Sequence, residues 1–113
     1  MVQVYLSCDV ESAAHCVYEE IVSGSISGEC IANYTLDGKG SKCTVMVFEK
    51  HFYRSGNRAS LTVTVDSIAG NGRTRMTAVG SGGGQGIFFS FDWGAAGSFE
   101  ESARRAVAPY ICQ

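Results

Sequence analysis

Hydrophobic and polar residues alternate over the first eight positions of the chain. The sequence VQVYLSC places Val2, Val4, Leu6 and Cys8 on one side of an extended segment and Gln3, Tyr5 and Ser7 on the other. This period of two is typical of a β-strand with one buried face. The strand is therefore predicted to pack its apolar side against the rest of the protein.

The period changes immediately after this strand. Asp9 is a preferred N-cap residue, and Glu11 would lie in the first helical turn, where the helix dipole favours an acid. Apolar residues then recur three and four positions apart, which predicts an amphipathic helix over residues 10–22. Gly24 is predicted to end this helix.

Strand-like segments follow in series. They cover residues 28–36, 42–53, 59–65 and 73–79, and IFFSFDW at residues 87–93 is predicted to form a last, short strand. Turn sequences separate them, most clearly Gly70-Asn71-Gly72, because Asn-Gly is the preferred pair of tight hairpins. Within the segment 59–65, the residues predicted to face inward are Ala59, Leu61, Val63 and Val65.

A second helix is predicted near the C-terminal end. Ser98 and Glu101 have the spacing of a capping box, with Ser98 as the N-cap. Arg104 and Arg105 lie further along, as the helix dipole favours. Pro109 cannot continue a regular helix, so the helix is expected to end or kink near Ala108.

The order of these elements predicts the fold class. It is β-α-β-β-β-β-(β)-α, which indicates one α+β domain over residues 1–113, with an antiparallel sheet of five to six strands and two helices on one face. The order is similar to that of TATA-binding-protein-like and helix-grip folds, but a fold analogy supplies no function. The other face would be open, and an open, partly aromatic face is often an interface or a ligand surface.

Composition agrees with a folded domain. The chain has 113 residues, of which 45% are hydrophobic and 18% charged. Its first residues lack a basic start and an apolar run, so no signal peptide is expected, and no apolar stretch is long enough for a membrane helix. A cytoplasmic location without a membrane partner is the expectation.

Charge is unevenly distributed along the chain. The net charge is −2, with a sum of −6 over residues 1–38 and +5 over residues 39–75. Lys50, Arg54, Arg73 and Arg75 form a candidate basic patch beside aromatic residues, a combination that can hold phosphates and stack bases. The negative net charge and the missing RNP-type pattern argue against nucleic acid as a partner.

Five glycines occupy the seven positions from Gly80 to Gly86. No Lys follows them as in a phosphate-binding Walker loop, the dinucleotide spacing fails, and a strand rather than a helix is predicted next. The run is therefore predicted to be a bulge, a wide turn or a close backbone approach, with contact to a ligand or a second subunit as the alternative. The candidate ligand or interface residues are Gly82, Gly83, Gln85, Phe88, Phe89 and Trp93.

Catalytic and metal-binding patterns are missing from the sequence. The five cysteines have irregular spacings without a Cys-x-x-Cys pair, and Cys8, Cys30 and Cys43 are predicted to be buried structural thiols. His15 and Cys16 diverge by about 100° on a helix, so they do not favour a dyad. We therefore expect no catalytic residue, no metal and no cofactor, which favours a protein that is not an enzyme.

Several segments together resemble a family of short bacterial proteins common in Firmicutes and classed as a domain of unknown function. The segments are SGSISG (23–28), CTVMVFE (43–49), GNRASLTVTV (56–65), SGGGQGIFF (81–89) and WGAAGSF (93–99). The family motif Ser-Gly-Gly-x-Gln-x-x-Phe-Phe is matched by Ser81, Gly82, Gly83, Gln85, Phe88 and Phe89. The resemblance implies a compact intracellular α+β protein and brings no catalytic assignment.

Three hypotheses about function remain open. The first is a cytosolic binding or interaction module that forms a homodimer through the open face or edge of its sheet. The second is a small-molecule site between the sheet and the C-terminal helix, near Gln85 and Trp93. The third is weak nucleic-acid binding by the basic patch, which would depend on salt concentration.

Overall fold

A computed structural model of the chain describes residues 1–24, 28–52, 57–82 and 89–112. These residues form one six-stranded sheet with the strand order β2-β3-β4-β5-β1-β6, in which every pair of neighbours is antiparallel. The strands are β1 (Val2–Leu6), β2 (Glu29–Asp37), β3 (Lys42–Phe52), β4 (Asn57–Asp66), β5 (Thr74–Gly82) and β6 (Ile111–Cys112). Strands β2 to β5 form a meander, and β1, the first strand of the chain, pairs with β5.

Helix α1 (Val10–Tyr18) begins at the residue that the sequence predicts. The Asp9 carboxylate accepts a hydrogen bond from the Ser12 backbone N–H at 2.8 Å, which satisfies one of the amides at the helix N-terminus. The helix continues as a π-helical turn over Glu19–Ser23 and ends at Gly24. A Cβ atom at Gly24 would lie 2.3 Å from the Glu20 carbonyl oxygen, so glycine is required there.

Helix α2 (Phe89–Ala106) differs from the prediction at its start. The predicted strand 87–93 is wrong from Phe89 onward, because these residues form the first turns of α2. Ser98 therefore lies inside the helix and is not an N-cap; its carbonyl accepts the Ser102 hydroxyl at 3.0 Å. The predicted stop is confirmed, since a short 3₁₀ helix (Ala108–Tyr110) that contains Pro109 follows α2.

The predicted turn at residues 70–72 is present. Gly70, Asn71 and Gly72 all have positive φ angles, between 61° and 80°. This left-handed conformation favours glycine and asparagine for steric reasons. The turn lies in the connection between β4 and β5.

Both helices pack on the same face of the sheet, and the predicted fold class is confirmed. The inward residues predicted for β4 are all buried against them. Each fully buried aliphatic side chain of this kind contributes about 1.5–3 kcal/mol. The buried hydrophobic core consists of Leu6, Val10, Ala13, Val17, Ile21, Met46, Phe48, Ala59, Leu61, Val63, Val65, Met76, Ala78, Phe99, Ala103 and Val107.

Helix α2 is also tied to the sheet by a polar contact. The Gly80 backbone N–H of β5 donates to the Glu100 carboxylate at 2.7 Å. Since hydrogen bonds to charged acceptors are stronger than neutral ones, this contact fixes the position of α2 along β5.

Candidate functional site

The sheet face opposite the helices, here called the outer face, carries two regular cross-strand rows. Because side chains alternate along a strand and opposed residues share a face, the register defines these rows. One row comprises Tyr34, Val45, Thr64, Thr77 and Gln3, and the next comprises Ala32, Val47, Thr62 and Val79. The centre of the outer face is therefore formed by β-branched and aromatic side chains without a charged group.

Charged side chains of the outer face flank these rows, and four of them form two ion pairs. Arg75 donates to the Asp66 carboxylate through Nε at 3.2 Å and Nη2 at 3.3 Å. Asp66 is only 2% exposed and also accepts the Ile68 backbone N–H at 3.1 Å. At the other end, Arg58 lies 3.8 Å from Glu49. Glu29, opposite Glu49 at the edge of this face, has no ion pair among the described residues.

Large apolar side chains of this face are open to solvent. Tyr34, Leu36 and Val79 are 51%, 59% and 45% exposed. Tyr34 and Leu36 belong to β2, which is an edge strand with its outer backbone edge unpaired within the described part of the chain. Val79 lies three strands away on β5, so the exposed apolar side chains are spread across the face. Exposed apolar side chains on one face are typical of an interaction surface.

A cleft lies at the end of the sheet where β1 runs into α1. It has a volume of about 360 Å³ and is lined by Ser7, Cys8, Asp9, Val10, Glu11, Lys42, Ser67, Gly72, Arg73 and Thr74. Three segments therefore meet here: the β1–α1 junction, the first residue of β3, and the β4–β5 connection with the start of β5. The antiparallel pairing of Leu6 with Thr74 holds two of these segments together.

Charges of both signs surround the cleft. The Lys42 ammonium forms an ion pair with Glu11, and the hydrogen bond from this partner raises the pKa of Lys42. Hydrogen bonds from Ser12 lower the pKa of Asp9. The Arg73 guanidinium stands over the Tyr5 ring, 5.2 Å from its centre. The lining therefore includes two acidic and two basic residues.

Cys8 is the one thiol that lines this cleft. Burial raises its pKa above the ordinary value, so the thiol is protonated at neutral pH. The thiolate is the reactive form of cysteine, which makes Cys8 a poor nucleophile. Cys8 therefore supplies no activated thiol to the cleft.

Thr74 is the buried polar residue that distinguishes the cleft. Four polar or charged residues of the described chain are buried, and three of them have partners: Thr44 bonds Thr35, Asp66 binds Arg75, and Ser102 bonds Ser98. Thr74 is 3% exposed and lines the cleft. Its hydroxyl has no hydrogen-bond partner among the residues that the structure describes.

Of the glycine-rich candidates, Gly82 lies at the opposite end of β5 from this cleft. Gly82 is the last residue of β5, while Gly83, Gln85 and Phe88 lie outside the described residues. Phe89 and Trp93 belong to the first turns of α2. A contact of these residues with a ligand or a second subunit stays a prediction.

Residues of the proposed basic patch are not brought together. Lys50 of β3 lies opposite Ala59 of β4, and Arg75 of β5 lies opposite Asp66 of β4. Since Ala59 and Asp66 are seven residues apart on β4, Lys50 and Arg75 are separated by roughly 23 Å along the strand direction. They also lie on opposite faces, because Ala59 is inward and Asp66 is not. Arg73 lies at the cleft, and Arg54 falls outside the described residues.

The sequence identifies two parts of the cleft but does not indicate that they lie side by side. Asp9 was identifiable as an N-cap and residues 70–72 as a turn. Lys42, Ser67 and Thr74 carried no local signal, because their meeting depends on the pairing of β1 with β5, which are 68 or more residues apart in sequence.

Further searches of the described ranges give no metal site and no membrane helix. No group of three or more His, Cys, Asp or Glu side chains is arranged to hold a metal ion there. No helix in those ranges is long and apolar enough to cross a membrane. The five cysteines are free and half-buried.

Comparison with known proteins gives one result. No curated protein matches the chain, and no solved structure matches it. A family model covers residues 1–111, almost the whole chain, and it describes a family of unknown function. The bacterial origin and the glycine-rich motif suggested by the sequence stay predictions. The chain belongs to the family of unknown function DUF6054.

Proposed function

We propose that this protein is a cytosolic interaction module whose outer face binds the same face of a second copy. The observation that carries the proposal is the outer face itself: a sheet face with exposed Tyr34, Leu36 and Val79 and no charged group in its two central rows. The partner is inferred from the size and the charge of this surface.

The area of the outer face fits a stable dimer. Five strands at a spacing of about 4.8 Å, each about nine residues long at about 3.3 Å per residue, give an area on the order of 700 Å². A standard protein interface buries about 800 Å² on each partner. Two such faces can pack as the two layers of a β-sandwich do, with strands crossing at about 30°.

The charge of the outer face favours a second copy over a charged partner. A twofold interface brings each residue near its own neighbourhood on the other subunit, so an unpaired charge would meet a like charge. Here Asp66 binds Arg75 and Glu49 lies near Arg58. For the same reason the face offers nucleic acid little free positive charge. Glu29, which has no ion pair among the described residues, lies at the edge of the face on β2.

Sedimentation velocity of the wild-type chain and two matched variants tests this proposal. Val79→Lys places two like charges in the interface, while Ile68→Lys places a charge at an equally apolar position, 61% exposed, in the β4–β5 connection. We expect the wild type and Ile68→Lys to sediment as dimers at micromolar concentration. Val79→Lys is expected to dissociate with a Kd at least about tenfold higher.

Circular dichroism melts are the control for folding, since all three proteins should melt cooperatively. A wild type that remains monomeric at high micromolar concentration would overturn the proposal. An equal effect of the two lysine variants would also overturn it, because the contact would then not depend on the outer face.

A further inference from the structure

We propose that the cleft between β1, α1 and the β4–β5 connection binds a small zwitterion of the amino-acid type, with Thr74 as a binding residue. This site is independent of the proposed dimer, because it is built from the sheet end and the helix N-terminus and not from the two central rows of the outer face.

The Thr74 hydroxyl supports a ligand in this cleft. Burying a hydroxyl group without a hydrogen bond costs about 1–3 kcal/mol of folding free energy. Such a hydroxyl is therefore rare unless a ligand or a water molecule supplies the missing hydrogen bond. Thr74 is 3% exposed, lines the cleft and has no partner within the described residues. A bound polar group would supply that partner.

The N-terminus of α1 borders the same cleft and also supports a ligand there. The backbone N–H groups of Val10 and Glu11 are in the first helical turn, where no carbonyl of the helix can accept them. Amides at this position attract a carboxylate. The Lys42 ammonium carries three donors and adds a positive charge on the facing strand.

Residues of both charges line the cleft and restrict the kind of ligand that it can hold. The carboxylates of Asp9 and Glu11 border the cleft together with Lys42 and Arg73. A simple anion would be repelled by the two acids, and a simple cation by the two bases. A ligand with a carboxylate and an ammonium group satisfies both sets, since each acid keeps unused acceptor sites beside its present partner.

The volume of the cleft limits the size of the ligand. At about 360 Å³ the cleft is near the lower limit of pockets that hold small molecules, so it fits an amino acid or a compound of similar size. Val10 and Gly72 give part of the lining an apolar character, which suits a short aliphatic group.

Binding can be tested by NMR titration of the wild-type chain with individual free α-amino acids at millimolar concentration. Each amino acid that binds is compared with its N-acetyl derivative, which lacks the ammonium, and its methyl ester, which lacks the carboxylate. We expect at least one free amino acid to shift the amides of Val10, Glu11 and Thr74, and both derivatives to bind at least about tenfold more weakly.

A pair of isosteric variants separates binding from folding. Thr74→Val removes a hydroxyl without a partner, so the melting temperature is expected to stay the same or rise, while the ligand binds at least about fivefold more weakly. Thr44→Val removes a hydroxyl that is bonded to Thr35 at 2.9 Å, so the melting temperature is expected to fall while binding is kept.

Three results would overturn the proposal. They are the absence of binding by every free amino acid, equal binding of the acetylated or esterified derivatives, and unchanged affinity of Thr74→Val. Binding by the monomeric Val79→Lys variant is expected to equal that of the wild type, so failure of the dimer proposal would leave this test intact.

Discussion

Thr44 and Thr74 show how two buried hydroxyl groups of one sheet can serve different purposes. Both face the helices, and both are almost fully buried. The hydroxyl of Thr44 is completed by Thr35 across the β2–β3 pair, which makes it part of the fold. The hydroxyl of Thr74 is left for the cleft, which is why a ligand is inferred at one position and not at the other.

Asp9 provides a prediction at the same scale. Asp9→Ala removes the cap of α1, and we expect the melting temperature at neutral pH to fall by about 5 °C, as the loss of an N-cap does in a domain of this size. Asp9→Asn keeps an oxygen that can accept the Ser12 N–H, so its melting temperature should remain close to that of the wild type. Thermal melts followed by circular dichroism check both values.

The two Asp9 variants also predict a pH dependence. Hydrogen bonds from Ser12 lower the pKa of Asp9 in the folded state, so its charge stabilises the fold above the ordinary carboxyl range. This contribution is lost as the pH falls through the lowered pKa. The difference in melting temperature between wild type and Asp9→Ala should therefore shrink on acidification, and a difference that grows would contradict the account.

Cys43 marks a limit of sequence reasoning for single residues. It was predicted to be a buried structural thiol together with Cys8 and Cys30, but it lies on the outer face beside Asp66. Strand β3 has apolar residues on both faces, with Met46 and Phe48 inward and Val45 and Val47 outward. Hydropathy alone therefore could not assign the face of Cys43.

At the scale of elements, strands and helix starts with strong local signals were predicted correctly. The alternation of residues 59–65 identified the buried side of β4, and Asp9 and Gly24 identified the ends of the first helical segment. Each of these signals depends on residues that are close in sequence. The predicted elements are present in the structure because no tertiary contact opposes these local preferences.

Helix α2 is the element where local signals failed. Aromatic residues at 87–93 favour a strand, and Gly94 and Gly97 lower helix propensity, so the capping box at Ser98 seemed to mark the start. In the structure the helix begins at Phe89 and packs along β4 and β5. Tertiary packing overrides a weak propensity of this kind.

Gly97 tests the extent of α2. It lies inside the helix, and a Cβ atom there would meet no other atom within 4 Å. Gly97→Ala is therefore expected to raise the free energy of unfolding by about 0.5–1 kcal/mol. The measurement is urea denaturation of the purified variant.

A matched glycine supplies the control for this prediction. Gly72 has a φ of 69° in the β4–β5 turn, so Gly72→Ala forces alanine into the left-handed region and is expected to destabilise the protein. If Gly97→Ala were also destabilising, the region before Ser98 would not be helical, and the bounds of α2 would be wrong.

The cleft could not have been derived from local patterns. Its lining comes from the β1–α1 junction, β3 and the β4–β5 connection, which meet only after β1 pairs with β5. Non-local antiparallel pairing of this type leaves little trace in a single sequence. The glycine run, in contrast, had a strong local signature, and its functional role stays a prediction.

At the scale of the whole molecule, the protein has two different faces. The inner face and the helices bury the core, while the outer face exposes β-branched and aromatic side chains and has no charged group in its two central rows. Such a face is expected to bury its apolar area against a partner of matching shape and no net charge. A second copy meets both requirements.

Intermolecular contacts across the outer face are the most direct test of this account. In a mixture of ¹³C-methyl-labelled and unlabelled chains, isotope-filtered NOE spectra detect only contacts between subunits. We predict such NOEs for the methyl groups of Val45, Val47 and Thr64, and none for the core methyl groups of Val17 and Leu61. A sample that is dimeric without NOEs from the outer face, or that shows no intermolecular NOE at millimolar concentration, would contradict the proposal.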